Sequence, residues 1–293
     1  MAGNLRHAHD LMPERQGFPA GVPAWIDSAQ PDVDAAIAFY GGLFGWQFDD
    51  RAPSDSDDRY VVASLDGKTV AAIASPSVAG HASSPAWTTY VAVDSAQDVA
   101  ARVREAGGGV VAAPADRLSL ATTVICTDPA GAVFGLWEPG SIRGAGLVNA
   151  PGTWNFSELN TNDVDGATRF YASVFGWEVS EIDMGAMKGA MVRLPGYADF
   201  LEQFNPGTKQ RHIDFGAPPG FTECVAWFLP LGEGAIPHWS VTLAVADADA
   251  VAAKARELGG SVEVEPHDLP MVRSTTIRDL AGAKLTASAF NPG

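Results

Sequence analysis

The chain repeats itself, and this duplication restricts the possible folds more than any other feature of the sequence. Residues 32–48 (DVDAAIAFYGGLFGWQF) and 163–179 (DVDGATRFYASVFGWEV) are identical at nine of 17 positions, at an offset of 131 residues. Further blocks recur in the same order, at offsets of 152, 152 and 151: 85–93 with 237–245, 99–110 with 251–262, and 128–132 with 279–283. This order indicates that one folding unit has been duplicated.

Each half has the same order of predicted elements. A short apolar strand, 22–28 in the first half and 153–159 in the second, leads into an amphipathic helix. Gly45 and Gly176 stand where a left-handed residue would end that helix, and short strands follow. A second strand, helix and three strands complete each half. We therefore predict an α+β fold of four βαβββ units.

The spacing of the repeats also predicts the domain organisation. The offset grows by 21 residues between the first and second blocks, which places an insertion in the second half near 197–220. A stretch rich in glycine and small residues separates the halves. With 293 residues, two domains are expected. We predict an N-terminal tail, a first domain, a linker and a second domain at 1–19, 20–140, 141–151 and 152–293.

Composition excludes several classes of function. The 19 Lys and Arg against 35 Asp and Glu give a net charge of −16, which disfavours binding to nucleic acids or anionic membranes. No apolar run approaches the roughly 18 residues of a spanning helix, and the polar N-terminus does not resemble a secretory signal. Cys126 and Cys224 lack Cys-x-x-Cys spacing. These features favour a cytoplasmic protein with reduced thiols and a small-molecule partner.

The repeated motifs resemble those of a known superfamily. The Phe-Tyr…Phe-Gly-Trp helix end, the Gly-Gly after the second helix and the Asp-Pro-x-Gly turn are similar to the vicinal-oxygen-chelate superfamily, which includes glyoxalase I, extradiol dioxygenases and bleomycin-resistance proteins. The resemblance covers about residues 20–290 and is closest to tandem glyoxalase-like proteins of actinobacteria. It implies two half-open sheets, or cups, for small molecules. It also implies a monomer that is an internal pseudo-dimer, or a homodimer.

The resemblance also allows a test for the superfamily's metal site. Its metal enzymes use His, Glu or Gln at three strand positions, which suit Zn, Ni, Fe or Mn. Counted from the motifs of this chain, those positions are Trp25, Thr88 and Gly135 in the first half and Phe156, Ser240 and Thr286 in the second. None is a usual ligand, so the sequence predicts no metal and no other cofactor.

Two carboxylates are the strongest candidates for chemistry. Asp27 and Glu158 are equivalent at the 131 offset, and each stands two residues after an aromatic side chain on a predicted strand. Strand alternation therefore directs both into the cups. An apolar cup disfavours the charged carboxylate, which suits a general acid or base. The alternative is a carboxylate held by backbone N–H groups or an ion pair.

Other candidates are specific to the second half. His238 shares the predicted face of Ser240 and Thr242, so we predict it as a third catalytic group, with a partly exposed strand residue as the alternative. Arg193 and Arg273 are candidates for an anionic substrate group or for surface ion pairs. Three residues in or beside the insertion form a weaker candidate set: His212, Glu223 and Cys224.

Seven of the eight tryptophans fall into two groups. Four recur between the halves and are predicted in the core: Trp46, Trp87, Trp177 and Trp239. Three others do not recur and are predicted, with Phe156, to form a flat wall for a planar ligand, core packing being the alternative. The full predicted binding set is Trp25, Thr88, Tyr90, Trp137, Phe156, Arg193, Trp227, Ser240, Thr242 and Arg273.

Three functions remain open from the sequence. The first is a metal-independent lyase, isomerase or hydroxylase-like enzyme acting on an aromatic or polyketide-like metabolite through Asp27 or Glu158, with His238. The second is a protein that sequesters a drug or metabolite without turnover, as bleomycin-resistance relatives do. The third is a metal-dependent glyoxalase or dioxygenase with displaced ligands. The absence of usual ligands at the metal positions favours a protein that only binds its ligand, whereas the paired carboxylates Asp27 and Glu158 favour an enzyme.

Overall fold

The structure is a computed structural model that describes residues 14–53, 56–80, 85–184, 187–232 and 234–291. The first half of the chain forms one eight-stranded mixed sheet with the order β2-β3-β4-β1-β5-β8-β7-β6. Its strands are β1 (Pro23–Ala29), β2 (Gln47–Asp50), β3 (Tyr60–Leu65), β4 (Lys68–Ala74), β5 (Ala86–Ala92), β6 (Gly109–Arg117), β7 (Ala121–Thr127) and β8 (Val133–Pro139). We refer to it as sheet 1.

The second half forms a sheet of the same topology, sheet 2, with the order β10-β11-β12-β9-β13-β16-β15-β14. Its strands are β9 (Thr153–Thr161), β10 (Glu178–Met184), β11 (Met187–Arg193), β12 (Cys224–Pro230), β13 (His238–Ala244), β14 (Ser261–Leu269), β15 (Val272–Arg278) and β16 (Lys284–Phe290). The predicted α+β fold of four βαβββ units is thereby confirmed. Most of the predicted N-terminal tail lies outside the described residues.

Four helices occupy the predicted places between the strands: α1 (Val33–Phe44), α3 (Ala96–Glu105), α4 (Val164–Phe175) and α7 (Ala248–Glu257). Each begins at an Asp or Ser whose side chain accepts a hydrogen bond from a backbone N–H of the first turn. Gly45 and Gly176 end α1 and α4 with φ of 73° and 74°, as their positions predict.

Three further helices were not predicted: α2 (Pro76–Ala79), α5 (Tyr197–Phe204) and α6 (Thr208–Asp214). The last two, with a 3-10 turn at Phe221–Glu223, make up the insertion between β11 and β12. The segment between β8 and β9, at 140–152, contains no strand and crosses from one sheet to the other.

The two halves join through the faces that carry the helices. The hydroxyl oxygens of Thr89 in β5 and Ser157 in β9 lie 2.6 Å apart at the centre of this junction. Trp46 and Trp177 donate from the indole nitrogen to the carbonyls of Gly152 and Gly21 in the opposite half, each at 2.7 Å. The four recurring tryptophans are all buried, which confirms their prediction as core residues.

Candidate functional site

Each sheet has one face that carries no βαβββ helix. We call this face cup 1 in sheet 1, opposite α1 and α3, and cup 2 in sheet 2, opposite α4 and α7. Side chains alternate along a strand, so Asp27 and Tyr90 point into cup 1 whereas Thr89 points to the junction. By the same rule Glu158 and Thr242 point into cup 2. The structure therefore places both predicted carboxylates in cups.

Asp27 lies at the centre of a buried polar cluster in cup 1. Its side chain is 0% exposed and accepts hydrogen bonds from Tyr90 Oη at 3.1 Å and Tyr60 Oη at 3.2 Å. Tyr60 in turn accepts from Trp25 Nε1 at 2.9 Å. Arg117, also buried, lies over the Tyr60 ring at 5.4 Å from its centre. Sequence reasoning missed Tyr60 and Arg117, because they come from β3 and β6.

Burial dominates the ionisation of Asp27. It raises the pKa of this carboxyl to about 6, although the positive charge of Arg117 and the two tyrosine hydrogen bonds act in the opposite direction. Arg117 also donates to Thr123 Oγ1 at 2.9 Å. The carboxyl group is therefore part of a closed network of polar side chains, with no exposed surface of its own in the described structure.

Large side chains fill the rest of cup 1. The rings of Trp25 and Trp137 lie 5.2 Å apart, and both side chains are 0% exposed. The segment that follows β8 packs over them, since Trp137 Nε1 donates to the Ile142 carbonyl at 3.1 Å and Leu147 joins the same buried cluster. Cup 1 is thus occupied by the protein itself, and its predicted aromatic residues pack in a core.

One glycine makes this packing possible. Gly135 in β8 pairs with Tyr90 in β5, and a Cβ added at Gly135 would stand 2.0 Å from Tyr90 Cδ1. The tyrosine ring therefore lies in the space that a side chain at residue 135 would need. Counted from the sequence motifs, this residue stands at the position predicted for the superfamily's third metal ligand in the first half. The Tyr90 ring and a ligand side chain at 135 exclude one another.

Cup 2 has smaller side chains at the matching positions. Thr242 and Ser288 stand where cup 1 has Tyr90 and Trp137. Glu158 accepts hydrogen bonds from Thr242 Oγ1 at 2.8 Å and from Ser240 Oγ at 3.1 Å, and it remains partly exposed. The dense protein around it raises its pKa to about 7 by desolvation, against the two hydrogen bonds. Glu158 is thus poised to gain or lose a proton near neutral pH.

Aromatic side chains form one wall of cup 2. The Phe156 ring lies 6.4 Å from Trp227 and 6.2 Å from Phe221, a residue of the insertion that sequence reasoning did not single out. We call Phe156, Trp227 and Phe221 the aromatic wall. His212 of α6 packs on Phe221 at 5.2 Å and shares a 2.9 Å hydrogen bond with Thr222. These contacts anchor the insertion to the wall.

The insertion also reaches the opposite side of cup 2. Phe215, which ends α6, contacts Phe290 at the end of β16 with ring centres 5.6 Å apart. The other end of the cup, near His238, stays exposed. Hydroxyl groups line the sheet between the two ends: Ser240, Thr242, Ser274, Thr276, Thr286 and Ser288. Cup 2 therefore combines an aromatic wall, a hydroxyl-rich floor and one carboxyl group.

The remaining predicted residues lie in different places. His238 is exposed at the start of β13, and its Nδ1 lies 2.9 Å from the Ile236 carbonyl rather than near Glu158. Arg193 lies at the end of β11, paired with Glu178 at 3.1 Å and with Glu223 at 3.9 Å. Its side of the sheet is that of cup 2, but both partners already neutralise it.

Two predicted binding residues are separated from cup 2. Arg273 binds Asp249 of α7 at 2.5 Å, so it lies on the helix-covered face of sheet 2 and does not line the cup. Its neighbour Ser274 faces the cup instead, because successive residues alternate. Thr88 is buried in cup 1, where it pairs with Asp27.

The residues at the positions predicted for the superfamily's metal ligands do not fit a metal ion. The register pairs Phe156 with Thr242 and Thr242 with Thr286, while Ser240 pairs with Glu158. These rows offer a phenyl ring, neutral hydroxyls and one carboxylate, which is a poor donor set for Zn, Ni, Fe or Mn. Within the described residues, no group of three or more His, Cys, Asp or Glu side chains is placed to hold a metal.

A model of the Glyoxalase/Bleomycin resistance protein/Dioxygenase superfamily matches the chain twice, at residues 23–136 and 154–286. The two matches fall on the two sheets and together cover most of the chain. The chain therefore belongs to this superfamily and carries two tandem domains of its type. The resemblance read from the repeated motifs is confirmed.

Curated relatives extend along almost the whole chain. The anthracycline biosynthesis protein DnrV of Streptomyces peucetius is 36% identical, over 94% of this chain and 96% of its own length. The glyoxylase-like protein CFP32 of Mycobacterium tuberculosis is also 36% identical, over 93% of this chain and 96% of its own. The likeness to glyoxalase-like proteins of these bacteria agrees with the one read from the sequence.

Solved structures share the architecture at low identity. The Mn(II)-bound glyoxalase from Novosphingobium aromaticivorans superposes with a TM-score of 0.58 at 15% identity, covering 92% of this chain and 82% of that one. At this identity the likeness extends to the fold alone. No helix in the described ranges is both long and apolar enough to cross a membrane.

Proposed function

We propose that cup 2 is the functional site, that it binds a planar aromatic metabolite, and that Glu158 transfers a proton to or from this metabolite. The observation that carries the proposal is the position of Glu158, a partly exposed carboxyl with a pKa of about 7 between the aromatic wall and the hydroxyl-rich floor. Cup 1 serves as a structural core, because its own side chains fill it.

The lining of cup 2 supports this class of ligand. The rings of Phe156, Trp227 and Phe221 are tilted against one another by 60°, 71° and 40°, so they do not form the flat wall predicted from the sequence. They suit fused rings through a combination of face and edge contacts. The hydroxyls on the opposite side suit ring carbonyl and hydroxyl groups. DnrV is named for anthracycline biosynthesis, which agrees with a polycyclic aromatic ligand. The insertion contacts both sides of the cup, through Phe221 at the aromatic wall and Phe215 at Phe290.

The proposed reaction is proton transfer at a carbon next to a carbonyl group. The carboxylate of Glu158 takes a proton from that carbon, and the bonding electrons move to the carbonyl oxygen to form an enolate. Neutral Glu158 then returns the proton to the same or a neighbouring carbon, which gives an isomerase-type outcome. A group with a pKa near 7 serves well in both directions at neutral pH.

A second candidate is binding without turnover. It is favoured by the contacts of Glu158, whose described hydrogen-bond donors are the hydroxyls of Ser240 and Thr242 rather than a second titratable group. His238, the predicted third catalytic group, does not contact it. Binding and proton transfer are therefore measured separately.

Binding is tested with 1,8-dihydroxyanthraquinone, a planar aromatic ketone, by isothermal titration. We expect Phe156→Ala to weaken binding about tenfold, because it removes the centre of the aromatic wall. Phe204→Ala is the matched control, since Phe204 is an exposed aromatic of the same insertion that contacts Phe200. Equal affinities for the wild type and Phe156→Ala would place the ligand outside cup 2.

Proton transfer is tested with 1-tetralone in D₂O, where exchange of the hydrogens next to the carbonyl is followed by mass spectrometry. We expect catalysed exchange that rises with pH through about 7 and is lost in Glu158→Gln. Asp27→Asn, the equivalent change in cup 1, is the control and retains exchange. Binding without exchange in the wild type would support sequestration, whereas exchange that survives Glu158→Gln would exclude Glu158 as the base.

A further inference from the structure

The exposed end of cup 2 carries two basic residues that share one carboxylate. Arg278 in β15 binds Glu263 in β14 through Nε at 2.5 Å, and Lys284 at the start of β16 binds the other oxygen of Glu263. Arg278 also donates from Nη1 to the Gly282 carbonyl at 2.8 Å, which fixes its guanidinium. We call Arg278 and Lys284 the basic rim.

The basic rim lies on the same face of sheet 2 as Glu158. Ile277 and Leu285, the neighbours of Arg278 and Lys284, are buried in the cluster that contains Ala255 of α7, so they point to the helix-covered face. Alternation then directs Arg278 and Lys284 to the cup face. Their shared contact with Glu263 agrees with this orientation.

The sheet register connects the rim to the proposed site. Glu158 pairs with Ser240, Thr242 pairs with Thr286 on parallel strands, and Arg278 pairs with Lys284. Ser240 and Lys284, two residues earlier on those parallel strands, therefore continue one row across the cup. Neighbouring strands lie 4.7–4.9 Å apart, which places Lys284 about 10 Å from Glu158 at the backbone. A ligand of two or three fused rings spans this distance.

The charges of the rim are not a requirement of the fold. By the repeat offsets, the residues of sheet 1 that match Arg278, Lys284 and Glu263 are Thr127, Val133 and Val111, which are all uncharged. The same strands therefore form without any of these charges. The basic rim and Glu263 together carry two positive charges and one negative charge, in a chain whose net charge is −16. This is a local excess of positive charge at the open end of the cup.

We propose that Arg278 and Lys284 form a subsite for a carboxylate group on the ligand of cup 2. In this arrangement the ring system lies along the row from the aromatic wall toward the rim, and its carboxylate displaces one of the contacts to Glu263. The arginine fork and the lysine ammonium suit a carboxylate, and the position at the open end lets the charge keep some water. The inference rests on the proposed function for the location of the rings.

The test compares two probes that differ in one group: anthraquinone-2-carboxylate and 2-(hydroxymethyl)anthraquinone. At low ionic strength we expect the wild type to bind the carboxylate about tenfold more tightly, a preference that decreases as salt is added. Lys284→Gln and Arg278→Gln should each reduce this preference severalfold and leave the neutral probe unchanged. Arg256→Gln is the matched control, because Arg256 of α7 pairs with Glu265 outside the cup.

Glu263→Gln should change the affinity for the carboxylate probe in the opposite direction. It removes the carboxylate that competes with the ligand, so we expect the carboxylate probe to bind severalfold more tightly, an effect that loss of structure does not produce. Equal wild-type affinities for the two probes, or a preference that persists in both rim variants, would overturn the subsite alone. If neither probe binds, or if Phe156→Ala changes neither affinity, the proposed function fails as well.

Discussion

Tyr40 Oη donates a 2.8 Å hydrogen bond to Asp279 Oδ2 in the opposite half of the molecule, and Tyr171 repeats the contact with Asp128 at 3.2 Å. Trp87 and Trp239 donate to the two tyrosine oxygens at 3.0 and 2.9 Å. The Phe-Tyr motif of each half therefore meets, across the junction, the repeated turn that begins at Asp128 or Asp279 in the other half. The motifs that reveal the duplication in the sequence are the ones that join its two products.

The two contacts differ in their surroundings, which gives a first prediction. Asp279 Oδ2 also accepts from Gln30 Nε2 at 2.6 Å and keeps that donor when Tyr40 is truncated, whereas no matching side-chain amide is described at Asp128 Oδ2. A buried acceptor that loses its donor costs more than one that keeps a second donor. We expect Tyr171→Phe to lower the free energy of unfolding by about 2 kcal/mol and Tyr40→Phe by about 1 kcal/mol, measured by urea denaturation. Costs that are equal, or both negligible, would contradict this order.

The pH dependence of stability is a second prediction, and it concerns Asp27. Its pKa is about 6 in the folded protein against 3.8 for an ordinary Asp, so the folded state favours the protonated form. The resulting stabilisation of the folded state is fully present below about pH 4 and is lost as the pH rises through 6. Relative to Asp27→Asn, the wild type should lose about 1.5 kcal/mol between about pH 5 and about pH 7.5.

Urea denaturation of both proteins across this range measures the difference curve, in which the other titrating groups cancel. Loss of the charge opposite Arg117 changes the offset between the two proteins but not the slope, because arginine does not titrate here. A difference that is flat, or that rises in favour of the wild type with pH, would show that Asp27 is ionised throughout the range.

Local chemistry made most of the fold predictable. Asp32 and Asp163 as N-caps, Gly45 and Gly176 as left-handed ends, and the apolar stripe of α1 are all properties of a few adjacent residues. Because the chain is duplicated, each of these local patterns occurs twice and supports the same prediction in both halves. The insertion was predicted as a length difference, but its helices were not, because they have no counterpart in the first half.

For the two cups, the alternation of side chains along a strand predicted which residues face the cup, but it did not predict contacts between distant strands. It placed Phe156, Glu158, Ser240 and Thr242 on one face correctly, whereas Arg273 lies one residue out of phase with its cup-facing neighbours and so points to α7. The closure of cup 1 depends on Tyr60 and Arg117, which approach Asp27 from distant strands. The basic rim of cup 2 can be recognised from the sequence by comparing the two halves position by position, because Arg278 and Lys284 match uncharged residues in the first half.

Gly135 gives a third prediction. A methyl group at this position would stand 2.0 Å from the Tyr90 ring, which is held by Asp27 and has no free space around it. We expect Gly135→Ala to lower the free energy of unfolding by about 3 kcal/mol. Gly232→Ala is the control, because an added methyl there meets nothing within 4 Å.

The same clash predicts non-additivity. In a Tyr90→Ala background the space beside residue 135 is free, so Gly135→Ala should cost less than about 1 kcal/mol there. The coupling is measured from the four unfolding curves of the cycle. A cost of Gly135→Ala that is the same with and without the Tyr90 ring would mean that the ring moves away easily, and that cup 1 is less tightly closed than its burial indicates.

The fourth prediction is that cup 2 can be filled in the same way as cup 1. Thr242 and Thr286 match Tyr90 and Gly135 in the register of the two sheets. Tyrosine at 242 needs the space of a side chain at 286, so the two changes belong together as Thr242→Tyr with Thr286→Gly. We expect this double variant to fold, because sheet 1 already accommodates the same pair. The new ring should cover Glu158 and fill the space beside the aromatic wall.

Binding of 1,8-dihydroxyanthraquinone to the double variant should fall at least about tenfold, and exchange of 1-tetralone should be lost with it. Thr286→Gly alone is the control for the missing side chain and should retain binding, since it enlarges the cup. A filled cup 2 that still binds the probe with wild-type affinity would place the ligand elsewhere. If the double variant loses binding and Thr286→Gly retains it, the size of two side chains explains why cup 2 binds a ligand and cup 1 does not. The two sheets themselves have the same topology.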